Sequence, residues 1–135
     1  MEECIFCKIV NGEIPCTKVY ENNKVLAFLD IAPVNKGHTL VIPKEHHKDL
    51  LDMPNDVLAE VAKVGKKVAK AAVKATGAAG FNLGQNNGKT AGQVVMHFHL
   101  HIIPRFEGDG LKLWPQGKYE GKEEEEIAEK IKSLL

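Results

Sequence analysis

His97-Phe98-His99-Leu100-His101-Ile102-Ile103 alternates three histidines with bulky apolar residues. Alternation of period 2 predicts a half-buried β-strand whose successive side chains point to opposite faces. On that strand the three imidazoles share one face, and Phe98, Leu100 and Ile102 share the other. Imidazole changes charge near neutral pH, which suits it to proton transfer, nucleophilic attack or metal binding. One strand histidine alone reads as a core residue satisfied by ordinary hydrogen bonds. Three at i, i+2 and i+4 have no packing reason and read as a site.

The stretch just upstream is Asn86-Asn87-Gly88-Lys89-Thr90-Ala91-Gly92-Gln93. Its glycines and asparagines admit positive φ, so backbone N–H groups can approach an anion. An anion-cradling loop beside a histidine strand points to phosphoryl chemistry.

With 135 residues the chain reads as a single domain, 1–135, long enough for a real core. Its 18 basic and 18 acidic residues cancel. That balance argues against a general nucleic-acid binder, yet permits a small anionic ligand held by local donors. No apolar run reaches the roughly 18 residues that span a bilayer. Met1-Glu2-Glu3 lacks the basic and apolar regions of a signal peptide. The expectation is a soluble, cytoplasmic protein. Cys4 and Cys7 form a Cys-x-x-Cys pair, and Cys16 is left over as a free thiol. An odd count gives no complete disulfide framework.

The coarse element order follows from pattern. Residues 4–11 predict a short helix that stops near Gly12 and Pro15. Strands are expected over 17–21 and 24–30, around a turn at Asn22-Asn23, and over 39–43. Pro54-Asn55-Asp56 opens a long helix. Its Val57, Val61, Val64, Val68 and Ala72 make a core stripe, its lysines a solvated face, and Gly77 its stop. Residues 80–85 and 96–104 predict the fourth and fifth strands. An irregular arm over 105–121 carries Trp114, and 123–135 predicts a terminal helix with glutamates first and lysines last. The expected class is α+β: a mainly antiparallel sheet of about five strands, one long helix, a short N-terminal helix and a helical tail. Residues 1–104 form the core region, and 105–135 the arm and helix.

Cys4 and Cys7 supply half of a tetrahedral zinc site. His38, His46, His47, His97, His99 and His101 are all candidates for the other half. A thioredoxin-like redox reading would need a βαβ setting, which the pattern lacks.

The histidine stretch resembles the signature of the histidine triad family, His-x-His-x-His-x-x with apolar x. Ile5-Phe6, Lys8-Ile9, Glu13-Ile14-Pro15, Ala27-Phe28-Leu29-Asp30-Ile31, His38, Leu40-Val41-Ile42-Pro43-Lys44 and Gly92-Gln93 extend the likeness to its nucleotide phosphoramidase branch. The resemblance implies a hydrolase that cleaves the α-phosphate bond of purine nucleoside 5′-phosphoramidates (AMP or GMP joined to an amine). His99 would be the nucleophile, its tautomer fixed by a backbone carbonyl, and would form a nucleotidyl-histidine that water resolves. His101 and Gln93 complete the implied catalytic set. Gly92, Gln93 and Asn86 would donate to the phosphate, with Val94 and Val95 beside them. Asp30 would bind the ribose hydroxyls, and Phe6, Ile9, Leu29 and Ile31 would form the base slot.

The same resemblance implies structural zinc on Cys4, Cys7, His46 and His97, with no metal required for the chemistry. His47 would then lie at the surface, and His38 would be a buried partner of the histidine strand. A homodimer is implied, with no membrane or nucleic-acid partner. Other family readings are a dinucleoside polyphosphate hydrolase and a nucleotide-releasing enzyme of damaged DNA ends. The neutral charge disfavours the latter. A non-catalytic nucleotide sensor or zinc-held interaction module is the reading from a different class. Two departures stand out. Val94 occupies a position that is Ser or Thr in many members, and about 20 residues follow the Trp114-Pro115 where that branch ends.

Overall fold

The computed structural model describes residues 3–135; Met1 and Glu2, two of the three residues expected to lack signal-peptide character, lie outside them. The helices are α1 (Ile5–Val10), α2 (Asn55–Thr76) and α3 (Glu123–Leu134). The strands are β1 (Lys18–Glu21), β2 (Val25–Leu29), β3 (Thr39–Pro43), β4 (Gly80–Gly84) and β5 (Leu100–Arg105). They form one antiparallel sheet in the order β1-β2-β3-β5-β4, as the α+β expectation requires. No helix among the described residues is long and apolar enough to cross a membrane.

Both faces of the central strands are covered, so β2 and β3 are nearly continuous apolar runs rather than alternating ones. Val25, Ala27, Val41, Phe98 and Ile102 pack under α2 with Val61, Val64 and Val68. Leu26, Phe28, Leu40 and Ile42 point the other way and pack with Phe6 of α1. Covering a strand on both faces removes its polar alternation. Gly65 allows α2 to approach closely, since a Cβ there would meet Leu100 Cδ2 at 2.8 Å. Gly77 ends α2 in the left-handed conformation, φ 73°, as its sequence position predicts.

The fifth strand departs from expectation. The predicted span began at residue 96, but the ladder begins only at Leu100. Residues 97–99 are tied to the loop after β3 instead: the Phe98 N–H donates to His47 O at 2.7 Å. The alternation of faces nevertheless runs through the whole stretch. Phe98 joins the α2 side, while His97 and His99 lie against Phe6 on the α1 side.

Past β5 the chain is clamped once. Arg105 grips Asp109 through Nε at 2.8 Å and through Nη2 at 3.0 Å. Asp109 also accepts from Asn35 Nδ2 and from the Phe106 and Leu111 N–H groups. Five donors hold its carboxyl well below the usual carboxylate range, the Arg105 guanidinium contributing most. Beyond Leu111 the arm is exposed, and so is nearly all of α3.

Candidate active site and metal centre

A cavity of about 480 Å³ opens between α1, the end of β2 and the histidine stretch. That size lies in the usual range for small-ligand pockets. Phe6, Ile9, Leu29 and Ile31 line it, with Asp30 beside them. Asn86, Gly92, Val94, Val95, His99 and His101 line it as well. The walls also include Ile14, Pro15 and Cys16, which pattern gave no reason to select.

Hydrogen bonds assign the protons on the rings. His99 Nδ1–H donates to His97 O at 2.8 Å, leaving the Nε2 lone pair free. The Val34 N–H donates to His38 Nδ1 at 3.0 Å, so neutral His38 keeps its proton on Nε2. That N–H donates to His101 Nδ1 at 2.9 Å, so His101 carries its own proton on Nε2. The site therefore juxtaposes an imidazole with a bare nitrogen and one with a free N–H, their ring centroids 4.8 Å apart. Burial holds His38 and His99 below the usual imidazole range and holds His101 down to about 4, the neighbouring rings adding to its shift. Asp30, its Oδ2 at 3.7 Å from His38 Nε2, pulls the other way without overcoming desolvation. Its Oδ1 accepts from the Ala32 N–H at 2.9 Å, so it is a turn residue as well.

Gln93 differs from its expected role. Its side chain is buried away from the cavity: Nε2 donates to Lys48 O and Val95 O, and Oε1 accepts from the Gly88 N–H. Its own N–H bonds Gly88 O. Gln93 thus shapes the glycine loop and offers no donor to a ligand. Gly92, at φ 97°, turns the chain so that Val94 sits at the cavity mouth, 88 % exposed. The Val94 N–H meets no backbone carbonyl among the described residues.

On the α1 side of His97 lies a second cluster. Sγ of Cys4 and Cys7 and Nδ1 of His46 and His97 all lie within 4.8 Å of one another. Cys4 Sγ is 3.4 Å from His97 Nδ1, and Cys7 Sγ is 3.4 Å from His46 Nδ1 and 3.6 Å from His97 Nδ1. Sulfur and nitrogen on a tetrahedral zinc ion sit about 3.6 Å apart, from bonds of about 2.3 and 2.05 Å. The donors fit the ion by chemistry as well. His97 Nε2–H donates to Pro43 O at 2.8 Å, which turns an unprotonated Nδ1 toward the thiols. Burial and the adjacent Cys4 push Cys7 up to about 11, so a pair of thiolates here calls for a cation. His47 is outside this group. It is not the surface residue expected, since its side chain is 14 % exposed and its buried Nε2 has no hydrogen-bond partner among the described residues.

The HIT domain family model matches residues 11–108. The chain belongs to the HIT family. An adenosine 5′-monophosphoramidase of Schizosaccharomyces pombe is 46% identical over 98% of this chain and 98% of its own. A Streptococcus mutans crystal structure, SMU.412c, superposes with a TM-score of 0.93 at 46% identity, over 99% of this chain and 86% of that one. A zinc-bound histidine triad protein of Mycobacterium smegmatis superposes at 0.79 with 44% identity, over 87% and 85% of the two chains. HIT membership accounts for the histidine pattern, and relatives in the family include phosphoramidases and a zinc protein.

Sequence reasoning missed the partner that sets the His38 tautomer, the backbone N–H of Val34. No side-chain signal marks it. It also missed a cavity of about 500 Å³ on the far side of His101, walled by Asn82, Ile103, Leu111, Leu113 and Trp114. Only the lone Trp114 in the arm hinted at that wall.

Proposed function

We propose that the protein hydrolyses purine nucleoside 5′-phosphoramidates through a covalent nucleotidyl-His99. The observation that carries this reading is the bare His99 Nε2 at the head of a nucleotide-sized cavity, with the His101 Nε2–H beside it. His99 Nε2 attacks the α-phosphorus, and the bond from phosphorus to the amine breaks. The leaving amine takes the proton of His101 Nε2, and the water that attacks in the second step returns one to that nitrogen, while the His38 Nε2–H hydrogen bond to His101 Nδ1 holds the ring in place. Water then attacks phosphorus, the bond to His99 breaks, and the nucleoside monophosphate leaves. Splitting one displacement into two lowers each barrier. The Asn86 amide and the Val94 N–H donate to phosphate oxygens as charge develops. Asp30 accepts from the ribose hydroxyls, and Phe6, Ile9, Leu29 and Ile31 enclose the base.

Cys4, Cys7, His46 and His97 hold a structural zinc ion in this reading. With four protein ligands it keeps no open position for substrate. The protein acts as a homodimer, a reading supported by the exposed edge strand β4 and its outward Phe81 and Leu83.

Val94 favours a second reading. A valine at the cavity mouth supplies no hydroxyl to a departing amine. A phosphate leaving group needs no such proton, so a dinucleoside polyphosphate is the alternative substrate.

The deciding experiment measures AMP release from adenosine 5′-phosphoramidate by the natural chain and by His99→Ala. Release that disappears in the variant supports the phosphoramidase. Turnover of diadenosine polyphosphate alone selects the second reading. AMP binding without release from any substrate sinks both.

A further inference from the structure

The neutral His38–His101 pair has two arrangements that place the His101 proton on opposite nitrogens. In the first, His38 Nε2–H donates to His101 Nδ1, and His101 keeps its proton on Nε2. In the second, both protons sit on the Nδ1 atoms, His101 Nδ1–H donates to His38 Nε2, and His101 Nε2 is bare. Only the first presents an N–H to a leaving amine. Burial keeps both rings neutral, so protonation does not settle the choice. The Val34 N–H settles it. It donates to His38 Nδ1 at 3.0 Å, and a proton on that nitrogen would set two donors against each other.

That N–H lies in a loop whose residues 31–34 are all exposed. A trans peptide carries its carbonyl opposite its N–H. Rotation of the Pro33–Val34 peptide would therefore present the Pro33 carbonyl to His38 Nδ1 and reverse the preference. The next residue, Asn35, anchors the loop. Its Nδ2 donates to Pro104 O of β5 at 2.9 Å and to Asp109 Oδ2 at 3.0 Å. The Asp109 side chain is 8 % exposed and is itself held by Arg105 and by the Phe106 and Leu111 N–H groups. The Asn35 carbonyl accepts the His38 N–H at 3.1 Å, which closes the turn. Gly37 packs so tightly that an added Cβ would meet Thr76 Cγ2 at 2.7 Å and Pro104 Cγ at 3.1 Å.

We propose that Asn35 is a positioning residue: held by the Arg105–Asp109 clamp, it fixes the Val34 N–H on His38 and so keeps the His101 proton on Nε2. Asn35 lines neither the nucleotide cavity nor the one beyond His101. It acts on the reaction through two imidazoles. This inference rests on the phosphoramidase reading for its purpose and adds a residue that touches no substrate.

The test reads the tautomers directly. In full-length protein carrying 15N-labelled histidine, long-range 15N–1H correlation spectra distinguish a proton on Nδ1 from one on Nε2. The natural chain should show His38 and His101 protonated on Nε2, and Asn35→Ala should add a second set protonated on Nδ1. With adenosine 5′-phosphoramidate, kcat of that variant should fall about tenfold at unchanged KM, as the competent tautomer drops to about a tenth. With the p-nitrophenyl ester of AMP, whose leaving group departs without a proton, kcat should stay within about twofold. Asp109→Asn loosens the same anchor with Asn35 in place, and should give the same split between substrates if Asn35→Ala fails to fold. Natural-chain rings protonated on Nδ1 overturn the proposal, as do unchanged tautomers in the variants. Equal losses on both substrates overturn it too, because a merely disturbed fold slows both. A natural chain that turns over neither substrate sinks the proposed function, while the tautomers still decide the positioning.

Discussion

The histidine face and the C-terminal tail show opposite ways of using polar groups. On the histidine face nearly every ring nitrogen has a fixed partner: His38 with Val34 and His101, His97 with Pro43, and His99 with the carbonyl of His97. Past the Arg105–Asp109 clamp, charges and isoleucines alike face solvent. The first region is complete within one chain. The second leaves its charges and its apolar side chains to solvent. A region's hydrogen-bond accounting therefore separates side chains that the fold pins from side chains that it leaves to water.

Removing the unprotonated ring nitrogen of His99 should produce the largest effect. His99→Ala should lower turnover by about 10⁴-fold or more, the scale seen when a catalytic nucleophile is removed. Nucleotide binding by calorimetry and the thermal midpoint should stay near those of the natural chain. A variant that fails to fold would remove His99 from the catalytic role and return it to the core.

Cys4→Ser addresses the neighbouring cluster. Metal analysis of freshly purified protein should give one zinc per chain, lost in the variant together with a marked drop in thermal midpoint. Zinc-free natural protein would break the metal reading while leaving the histidine face untouched.

Gly92→Ala is a smaller change. At φ 97° an added Cβ is strained and meets Asn86 Nδ2 at 3.2 Å. A cost of about 1–2 kcal/mol is expected, measured by denaturant unfolding, with weaker nucleotide binding. An unchanged midpoint would mean that the loop relaxes freely and cradles nothing.

The neutral His38–His101 pair predicts a gentler effect of pH. Unfolded imidazoles take up protons below about 6.5, whereas burial keeps His101 neutral down to about 4, against the opposing pull of Asp30. The unfolded chain thus binds more protons in that window, so stability falls as pH drops through it. His38→Gln with His101→Gln should flatten the slope of thermal midpoint between pH 6.5 and 4. An equal slope in natural and variant protein would show that these rings are not buried neutral.

Much of this organisation was legible in the sequence. The period-2 pattern identified the histidine face, and Val61, Val64 and Val68 identified the core side of α2, because both periods arise from backbone geometry. The start of β5 was not legible. It depends on Phe98 finding His47 O, a contact between residues far apart in sequence. Gln93 was misread for a related reason. An amide beside a glycine loop fits either a ligand or the loop's own carbonyls, and only the folded path of Lys48 decides between them. His47 was misread because two adjacent histidines carry no mark of which one turns inward.

His97 belongs to two neighbourhoods at once. Its ring faces the cysteines, while its carbonyl oxygen decides which nitrogen of His99 is bare. The N-terminal segment is therefore wired to the reactive atom through a single peptide unit. A disturbance at Cys4 or Cys7 that swung this carbonyl would let His99 exchange tautomers. The protein would then lose rate while its affinity for nucleotide stayed the same, a fault that a binding assay would never register.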